Sequence, residues 1–409
     1  MPEHQNTAGF GLYIHWPFCR SKCPYCDFNS HVEGAVDHAR WREALLAELR
    51  HVADSVGRRP LTSIFFGGGT PSLMDPRTAE ALITGATALF GAEDDIEITL
   101  EANPTSADQV RLADFRRAGV NRLSLGVQAL DDQALRFLGR EHSADEALAA
   151  VDHAATLFPR FSFDLIYARP GQTLAAWSAE LARALDHAGG HLSVYQLTIE
   201  PGTRFFTLQQ RGQLDLPEDD LQADLFELTR ETLAAAGLPA YEISNHAREG
   251  DACRHNLIYW RAGDYLGIGP GAHGRLTLGE QRFATSTERM PRAWLEQVER
   301  LGHGGIVREP IALEEQIVEM VLMGLRLDQG IDIARLERLS GRALRETLNA
   351  AAIDSFEEEG WLQRDDRRLR ATETGFQRLN GLLSRLLDRA PPALHPAAEP
   401  VFDGRLTAH

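Results

Sequence analysis

Apolar residues in the first half of the chain come in short runs separated by longer segments with helical spacing. The runs Gly11–His15, Thr62–Phe66, Ile96–Leu100, Asn121–Leu125, Phe161–Tyr167 and Leu192–Leu197 are rich in β-branched, aromatic and other apolar residues and predict six strands. The segments between them predict helices over Asp37–Asp54, Pro76–Phe90, Ser106–Ala118, Ser143–Leu157 and Leu174–Ala188. Pro76 suits a first helical turn, and Gly119 and Gly189 suit helix ends. Repeated βα units predict a parallel sheet, doubly wound or curled into a barrel.

The rhythm changes after about residue 203. Pro217–Ala236 reads as an amphipathic helix whose early acids, Glu218, Asp219 and Asp220, suit a helix N-terminus. Ala240–Ser244 reads as a strand, Arg275–Thr285 as a hairpin around Gly279, and Gly267–Gly274 as a glycine-rich stretch. Beyond residue 310, helices are expected over Glu314–Leu327, Asp332–Ser340 and Leu344–Glu359, then a two-stranded wing over Trp361–Thr372. That is a winged-helix pattern. Its third helix ends in Glu357-Glu358-Glu359, the wrong sign for a DNA-reading helix, so a packing module is expected. The Pro/Ala-rich stretch 389–409 is expected to be disordered.

The polar motifs follow the strands in order. The cysteine cluster follows the first strand and Gly67-Gly68-Gly69-Thr70-Pro71 the second. Glu101-Ala102-Asn103-Pro104 ends the third, Gly126-Val127-Gln128 the fourth, and Asp164 lies within the fifth. Arg169-Pro170-Gly171 and Glu200-Pro201-Gly202 come after the fifth and sixth. The C-terminal edge of a parallel sheet is where α/β folds build their sites.

Composition narrows the function. A formal net charge of −17 argues against a nucleic-acid binder. With no secretory pattern at the start and no uncharged apolar run near membrane-spanning length, a cytoplasmic protein is expected. Of 4 cysteines, three stand close together at Cys19, Cys23 and Cys26, so a metal or cluster site is favoured over a disulfide framework.

Three thiolates can hold three corners of a [4Fe–4S] cubane, leaving the fourth iron open to a small chelator. S-adenosylmethionine (SAM) carries an amino and a carboxylate group suited to that vacancy, and electron transfer to its sulfonium yields a carbon radical. Lys22, the sole lysine, lies between two of these cysteines, where it favours thiolates or is simply solvated. A structural zinc site is the competing reading; its fourth ligand would be Cys253, His15 or His31. Glu101 suits ribose hydroxyls, or is an ordinary ion-paired acid.

Tyr13-Ile14-His15-Trp16-Pro17-Phe18-Cys19, Cys23-Pro24-Tyr25-Cys26-Asp27-Phe28, the GGGTP, EANP and GVQ motifs, Asp164-Leu165-Ile166-Tyr167 and His255-Asn256-x2-Tyr259-Trp260 together resemble the HemW family. These are radical-SAM haem chaperones related to the oxygen-independent coproporphyrinogen III oxidases. The likeness runs from about residue 10 to 388. It implies a partial (β/α)6 barrel over 10–205, a connecting region over 206–309 that carries HNxxYW, and a winged-helix-like domain over 310–388. It implies that Tyr13, Gly69 and Glu101 meet cluster-bound SAM, and that Tyr25, Thr70, Pro71, Gln128, Arg140 and Asp164 line an adjoining SAM site.

Two departures separate the chain from the oxidases. Phe28 stands where they have a further cysteine, and only about a dozen residues precede the first strand. Within the HemW pattern itself, Ala168-Arg169 replaces a frequent Gly-Leu, putting a cation near the expected pocket mouth. His255 is a candidate haem ligand, with Asn256 as its orienting partner and Tyr259 and Trp260 as aromatic neighbours; a buried aromatic corner is the alternative. Cys253 reads as an inert small hydrophobe rather than a haem ligand.

The expected function is a haem chaperone that carries a [4Fe–4S] cluster and SAM and passes haem to an acceptor protein. Whether it also turns over as an enzyme stays open, with coproporphyrinogen III oxidation as the alternative. A reductase or a ferredoxin- or flavodoxin-type electron donor is the expected redox partner. The oligomeric state, a homodimer included, stays open.

Overall fold

The computed structural model describes residues 8–388, apart from the side chains of 106–109. The expectation for 389–409 therefore lies outside the described residues. The chain divides into two compact units. The first holds the described residues up to 240, with 244–258 and 263–310; the second holds 241–243, 259–262 and 311 onward.

The first unit is built on one sheet. Its strands are β1 (Phe10–Trp16), β2 (Leu61–Gly68), β3 (Ala92–Ala102), β4 (Arg122–Gln128), β5 (Arg160–Tyr167), β6 (His191–Gln196), β7 (Asn245–Ala247), β8 (Asp264–Ile268), β9 (His273–Leu278), β10 (Gln281–Ser286) and β11 (Val307–Pro310). The order is β11-β10-β9-β8-β1-β2-β3-β4-β5-β6-β7. Strands β8 and β1 to β6 run parallel, while β7 and β9 to β11 add antiparallel edges. The order does not return on itself, so the six βα units make a partial barrel, open between its edges.

Alternation along each parallel strand separates two faces. Leu12, Ile14, Ile64, Phe66, Ile98, Leu100, Leu123, Leu125, Phe163 and Leu165 pack with the helices into the main apolar core. The alternate positions, Tyr13, His15, Phe65, Gly67, Glu97, Thr99, Glu101, Arg122, Ser124, Arg160, Ser162 and Asp164, take the inner face. That face is therefore largely polar.

The helices are α1 (His38–Val56), α2 (Pro76–Phe90), α3 (Ser106–Arg117), α4 (Asp132–Phe137), α5 (Ala144–Leu157) and α6 (Leu174–Leu185), followed by α7 (Arg204–Gln210), α8 (Asp219–Ala235), α9 (Arg254–Trp260) and α10 (Pro291–Leu301). Local chemistry sets their starts. Asp37 accepts the Arg40 amide at 3.1 Å, Asp75 precedes Pro76, and Ser143 with Glu146 forms a capping box.

Three expectations change. The Ala240–Ser244 strand is replaced by isolated bridges at Ala240 and Glu242, and the strand proper is β7, because pairing with β6 begins where Ser244 accepts the Val194 amide. Asp264–Ile268, hidden by its glycines, is a seventh parallel strand beside β1. Leu344–Glu359 splits into Leu344–Thr347 and Ala350–Glu358, because Asn349 caps a new helix by accepting the Ala352 amide at 3.1 Å.

The second unit has helices over Leu313–Gly324, Ile333–Ser340 and Ala350–Glu358, and a small sheet of Ile331–Asp332, Leu362–Arg364 and Arg368–Ala371. Glu357 pairs with Arg364 of the wing at 3.0 Å. Among the described residues, no helix is long and apolar enough to cross a membrane.

Candidate functional site

The loop after β1 is folded onto itself. The Cys26 amide donates to the Cys23 carbonyl at 3.2 Å, and the His31 amide to the Pro17 carbonyl at 2.7 Å. Phe18-Cys19 pairs with His31-Val32 as a short parallel ladder. Asn29 anchors the loop by donating to the carbonyls of Pro270 at 2.9 Å and Arg289 at 2.8 Å. Cys19, Cys23 and Cys26 are all half-exposed on this loop.

Each of the three sulfurs has a polar neighbour. The Thr70 hydroxyl donates to Cys19 Sγ at 3.4 Å, the Arg140 guanidinium to Cys23 Sγ at 3.4 Å, and Ser30 Oγ lies 3.9 Å from Cys26 Sγ. Such neighbours stabilise thiolates bound to a metal centre. Burial pushes the Cys26 thiol up to about 11, an increase that metal binding must overcome by taking the proton's place. Among the described residues, no three His, Cys, Asp or Glu side chains converge as ligands of a single ion. A cubane presents its irons at separate corners, and thiols spread along one loop fit it better than they fit mononuclear zinc.

The GGGTP turn lies against this loop. The Gly69 amide donates to the Trp16 carbonyl at 2.7 Å and the Thr70 amide to the Phe18 carbonyl at 2.8 Å. A Cβ on Gly69 would stand 2.7 Å from the Phe18 oxygen, and one on Gly68, at φ +113°, would stand 2.6 Å from His15. Only glycine permits this approach. Pro71 is buried and opens a short 3-10 turn over Pro71–Leu73.

A polar chain runs outward from Thr70. Asn103 donates to Thr70 Oγ1 at 3.2 Å, and Arg140 donates to Asn103 Oδ1 and, at 2.7 Å, to the Gly126 carbonyl. Gln128 adopts φ +75° at a break in the β4–β5 register. Its amide reaches Gly126, where an added Cβ would lie 3.1 Å from Nε2. Tyr25 shares the electrostatic environment of Arg140 and Cys23, and its ring centroid lies 6.4 Å from that of Phe205. Backbone strain of this kind collects where side chains are aimed at a ligand.

Two half-buried carboxylates complete the rim. Burial and the neighbouring Asp164 push Glu101 up to about 8, even though it accepts the Gly68 amide at 3.3 Å. Burial pushes Asp164 up to about 6, opposed by hydrogen bonds from Ser193 and Ser124 and by the charges of Arg122 and Arg140. A pair of carboxyls held this high is poised to receive a cation. Tyr13 is buried beside them, its hydroxyl 3.0 Å from His15 Nδ1. The structure thus brings Tyr13, Tyr25, Gly69, Thr70, Pro71, Glu101, Gln128, Arg140 and Asp164 to the same rim as the three cysteines.

HNxxYW is different. His255 is fully buried, with Nδ1 2.8 Å from Ser63 Oγ and its ring 5.0 Å from Phe65 and 6.4 Å from Tyr13, centroid to centroid. Asn256 and Trp260 are also buried, while Tyr259 is half-exposed. His255 and Asn256, expected as haem contacts, both lie buried at the barrel floor, where Ser63 meets one imidazole nitrogen while Asn256 Oδ1 and the Trp260 indole N–H are buried without a hydrogen-bond partner. Cys253 is equally buried, donates to Glu97 at 3.4 Å and is pushed up to about 12 by burial, as expected of an inert thiol. Arg169 does not face an open mouth; it is buried against Glu180.

Reasoning from the sequence alone passed over Asn29 and Asn103, although Asn103 stands inside a recognised motif. It also missed Glu48. This fully buried acid on α1 accepts the amides of Gly269 and Gly304, each at 2.7 Å, and the Trp294 indole N–H. Burial pushes Glu48 up to about 7. The signal was its position among Trp41, Ala44, Leu45, Leu49 and Val52 on the helix's buried face.

A half-exposed cysteine loop beside a glycine turn and a half-buried carboxylate pair, on the C-terminal rim of a partial barrel, defines a radical-SAM protein, and the radical SAM superfamily profile matches residues 13–184. The profile of the HemN C-terminal domain matches residues 311–378. More particularly, the chain belongs to the HemW family. It is 38% identical over 379 residues to the "Heme chaperone HemW" of Escherichia coli (strain K12), covering 92% of this chain and 97% of that protein. It is 41% identical over 399 residues to the "Radical S-adenosyl methionine domain-containing protein 1, mitochondrial" of Bos taurus, covering 96% of this chain and 90% of the relative. The solved structure of coproporphyrinogen III oxidase (HemN) from Escherichia coli superposes with a TM-score of 0.77 at 22% identity, covering 93% of this chain and 90% of that one, a likeness of fold.

Proposed function

We propose that this protein is a haem chaperone: it binds haem and passes it to an acceptor protein, and a [4Fe–4S] cluster and SAM serve that transfer. The observation that carries the reading is the rim itself, a three-cysteine loop with a polar neighbour for each sulfur beside a half-buried carboxylate pair. It occurs in a chain that matches a heme chaperone over 97% of that relative's length. Cys19, Cys23 and Cys26 would hold the cluster. When bound, the cluster supplies a one-electron reductant and an iron open to the amino and carboxylate groups of SAM.

The chain's own residues do the rest. Gly67 to Gly69 let the turn close on Tyr13, His15 and the Phe18 backbone, which holds the cysteine loop against the strand ends. Glu101 offers acceptors to ribose hydroxyls, and together with Asp164 it offers negative charge to a cationic ligand. Arg140 holds Asn103, and through it Thr70, in register with the cysteine loop. Gln128 and Tyr25 line the adjoining space. Phe28, in the place where the oxidases have a further cysteine, favours the chaperone over coproporphyrinogen III oxidation.

The test is an anaerobic haem titration of the cluster-loaded protein, followed by mixing with an apo-haem protein. A saturable Soret shift and haem transfer to the acceptor are expected, without conversion of coproporphyrinogen III in the presence of SAM and reductant. Absence of haem binding would remove the chaperone reading, and protoporphyrinogen formation would install the oxidase in its place.

A further inference from the structure

Two of the cysteine sulfurs are joined through one side chain that touches neither. Asn103 stands between Thr70 and Arg140: its Nδ2 donates to Thr70 Oγ1 at 3.2 Å, and its Oδ1 accepts from Arg140 Nη2. Thr70 in turn donates to Cys19 Sγ at 3.4 Å, and Arg140 Nη1 donates to Cys23 Sγ at 3.4 Å. One polar chain therefore runs from Cys19 through Thr70, Asn103 and Arg140 to Cys23. Thr70 is buried, and Asn103 and Arg140 are half-buried.

Proton counting gives this chain a direction. A guanidinium only donates, so the Asn103 oxygen must face Arg140 and the Asn103 NH2 must face Thr70. A threonine hydroxyl has one proton and accepts through its lone pairs. With an Asn103 N–H aimed at Thr70 Oγ1, the hydroxyl proton is turned away from Asn103 and toward Cys19. The two ends are not equally dependent on Asn103. Arg140 is also held by the Gly126 carbonyl at 2.7 Å, and Tyr25 gives Cys23 a second hydrogen bond. Ser30, the other polar neighbour of Cys19, is shared with Cys26. Loss of Asn103 thus leaves Cys23 its donors and releases Thr70.

We infer that Asn103 is a positioning residue for the cluster: it commits the Thr70 proton to the Cys19 sulfur and so raises the potential at which the cluster accepts an electron. This deepens the proposed function and rests on the cysteine loop being the cluster site. Reduction adds one electron, and part of the added charge falls on the cysteine sulfurs. A donor aimed at a sulfur therefore favours the reduced state, and hydrogen bonds to sulfur are one of the levers by which a protein sets such a potential. Asn103 acts on that lever without touching the sulfur, because it decides where the hydroxyl beside Cys19 points.

The experiment titrates the full chain, with reconstituted cluster and without SAM, against dithionite under anoxia. The one-electron midpoint is followed by electron paramagnetic resonance, and resonance Raman reads the iron–cysteine stretch of the oxidised cluster. Thr70→Val removes the hydroxyl at nearly unchanged shape and is expected to lower the reduction equilibrium constant about tenfold, ~59 mV for one electron. Asn103→Ala is expected to match it within about twofold, and T70V/N103A to fall no further, because both substitutions act through the same proton. The stretch shifts to higher frequency in both single variants. Thr70→Ser keeps the hydroxyl and is expected to hold the wild-type potential. Asn103→Asp keeps the side chain's shape and the acceptor for Arg140 but has no proton to give. Its effect is expected to be about tenfold larger with Thr70 present than in a Thr70→Val background, where only its charge acts. Additive effects at the two positions, or a potential that ignores Asn103 while responding to Thr70, would overturn the inference. So would a potential unmoved in every variant. A wild type that assembles no four-iron cluster would overturn it together with the reading of the cysteines, which tells the two failures apart.

Discussion

Cysteines occur at both ends of the barrel's inner face, and their surroundings differ. At the rim, Cys19, Cys23 and Cys26 are half-exposed on a loop, each near a hydroxyl or a guanidinium. At the floor, Cys253 is fully buried against Glu97, in a layer where Glu97 also pairs with Arg160 at 2.9 Å and accepts the His255 amide at 3.2 Å. At the floor the charges of Glu97 and Arg160 offset one another, whereas at the rim the charge of Asp164 disfavours an ionised Glu101. Groups that are mutually satisfied rigidify a fold, and groups held in conflict wait for a ligand. Two motifs that look equally functional in the sequence thus sit in different electrostatic settings.

The largest effect that can break this contrast is loss of the cluster. Cys19→Ala, Cys23→Ala and Cys26→Ala are each expected to abolish the iron–sulfur absorption after anaerobic reconstitution, whereas Cys253→Ala leaves iron and sulfide content unchanged. A four-iron cluster surviving any of the first three, or lost in the fourth, would erase the distinction between rim and floor.

The rim was legible in the sequence because strand order places loops. Once six strands and their helices are read from periodicity, the motifs after them must gather at one edge, and GGGTP, Glu101, Gln128 and Asp164 do so. Contacts made across the sequence were not legible. Asn29 reaches Pro270 over a separation of 241 residues, and no local pattern announces it. The surroundings of HNxxYW were hidden for a related reason. Where His255 packs depends on β8, masked in the sequence by the glycine-rich stretch that begins at Gly267, and on Gly11, where an added Cβ would lie 3.1 Å from the His255 ring. The split at Asn349 shows the remaining kind of miss: an asparagine inside an apolar helical pattern was a cap.

Next in size are two substitutions that test whether buried polar groups hold the rim in place from outside it. Glu48→Ala leaves the Gly269 and Gly304 amides and the Trp294 indole without their acceptor, an expected loss of ~4 kcal/mol. Because Pro270 follows Gly269 and receives the Asn29 anchor, the cluster in this variant is expected to be lost faster in air than in wild type. A denaturation midpoint and cluster lifetime equal to wild type would show that the rim does not depend on this pin. His255→Ala removes a ring stacked on Phe65 and orphans Ser63, an expected ~3 kcal/mol by urea unfolding, with haem affinity within about twofold of wild type. A Soret shift lost from a variant that is still folded would make His255 a haem contact and place the haem site at the floor.

The smallest expected effect is the most specific to the rim. Glu101, at about 8, is mostly protonated at pH 7, because its charged form is disfavoured by burial and by Asp164. A cationic ligand favours the ionised form, so binding lowers this pKa and releases a proton. Affinity for SAM in the cluster-loaded protein should therefore rise with pH through neutrality and level off above about 8. With one carboxyl going from about one-tenth ionised to mostly ionised, the gain approaches tenfold, or ~1.4 kcal/mol. The ligand's own ammonium also titrates, so the informative quantity is the difference between wild type and Glu101→Gln across pH 6 to about 9, measured by equilibrium dialysis. In the variant the carboxyl contribution disappears and affinity at high pH falls below wild type. Parallel profiles would mean that Glu101 keeps its proton when the ligand is bound, and the rim's carboxylates would then be as self-contained as those of the floor.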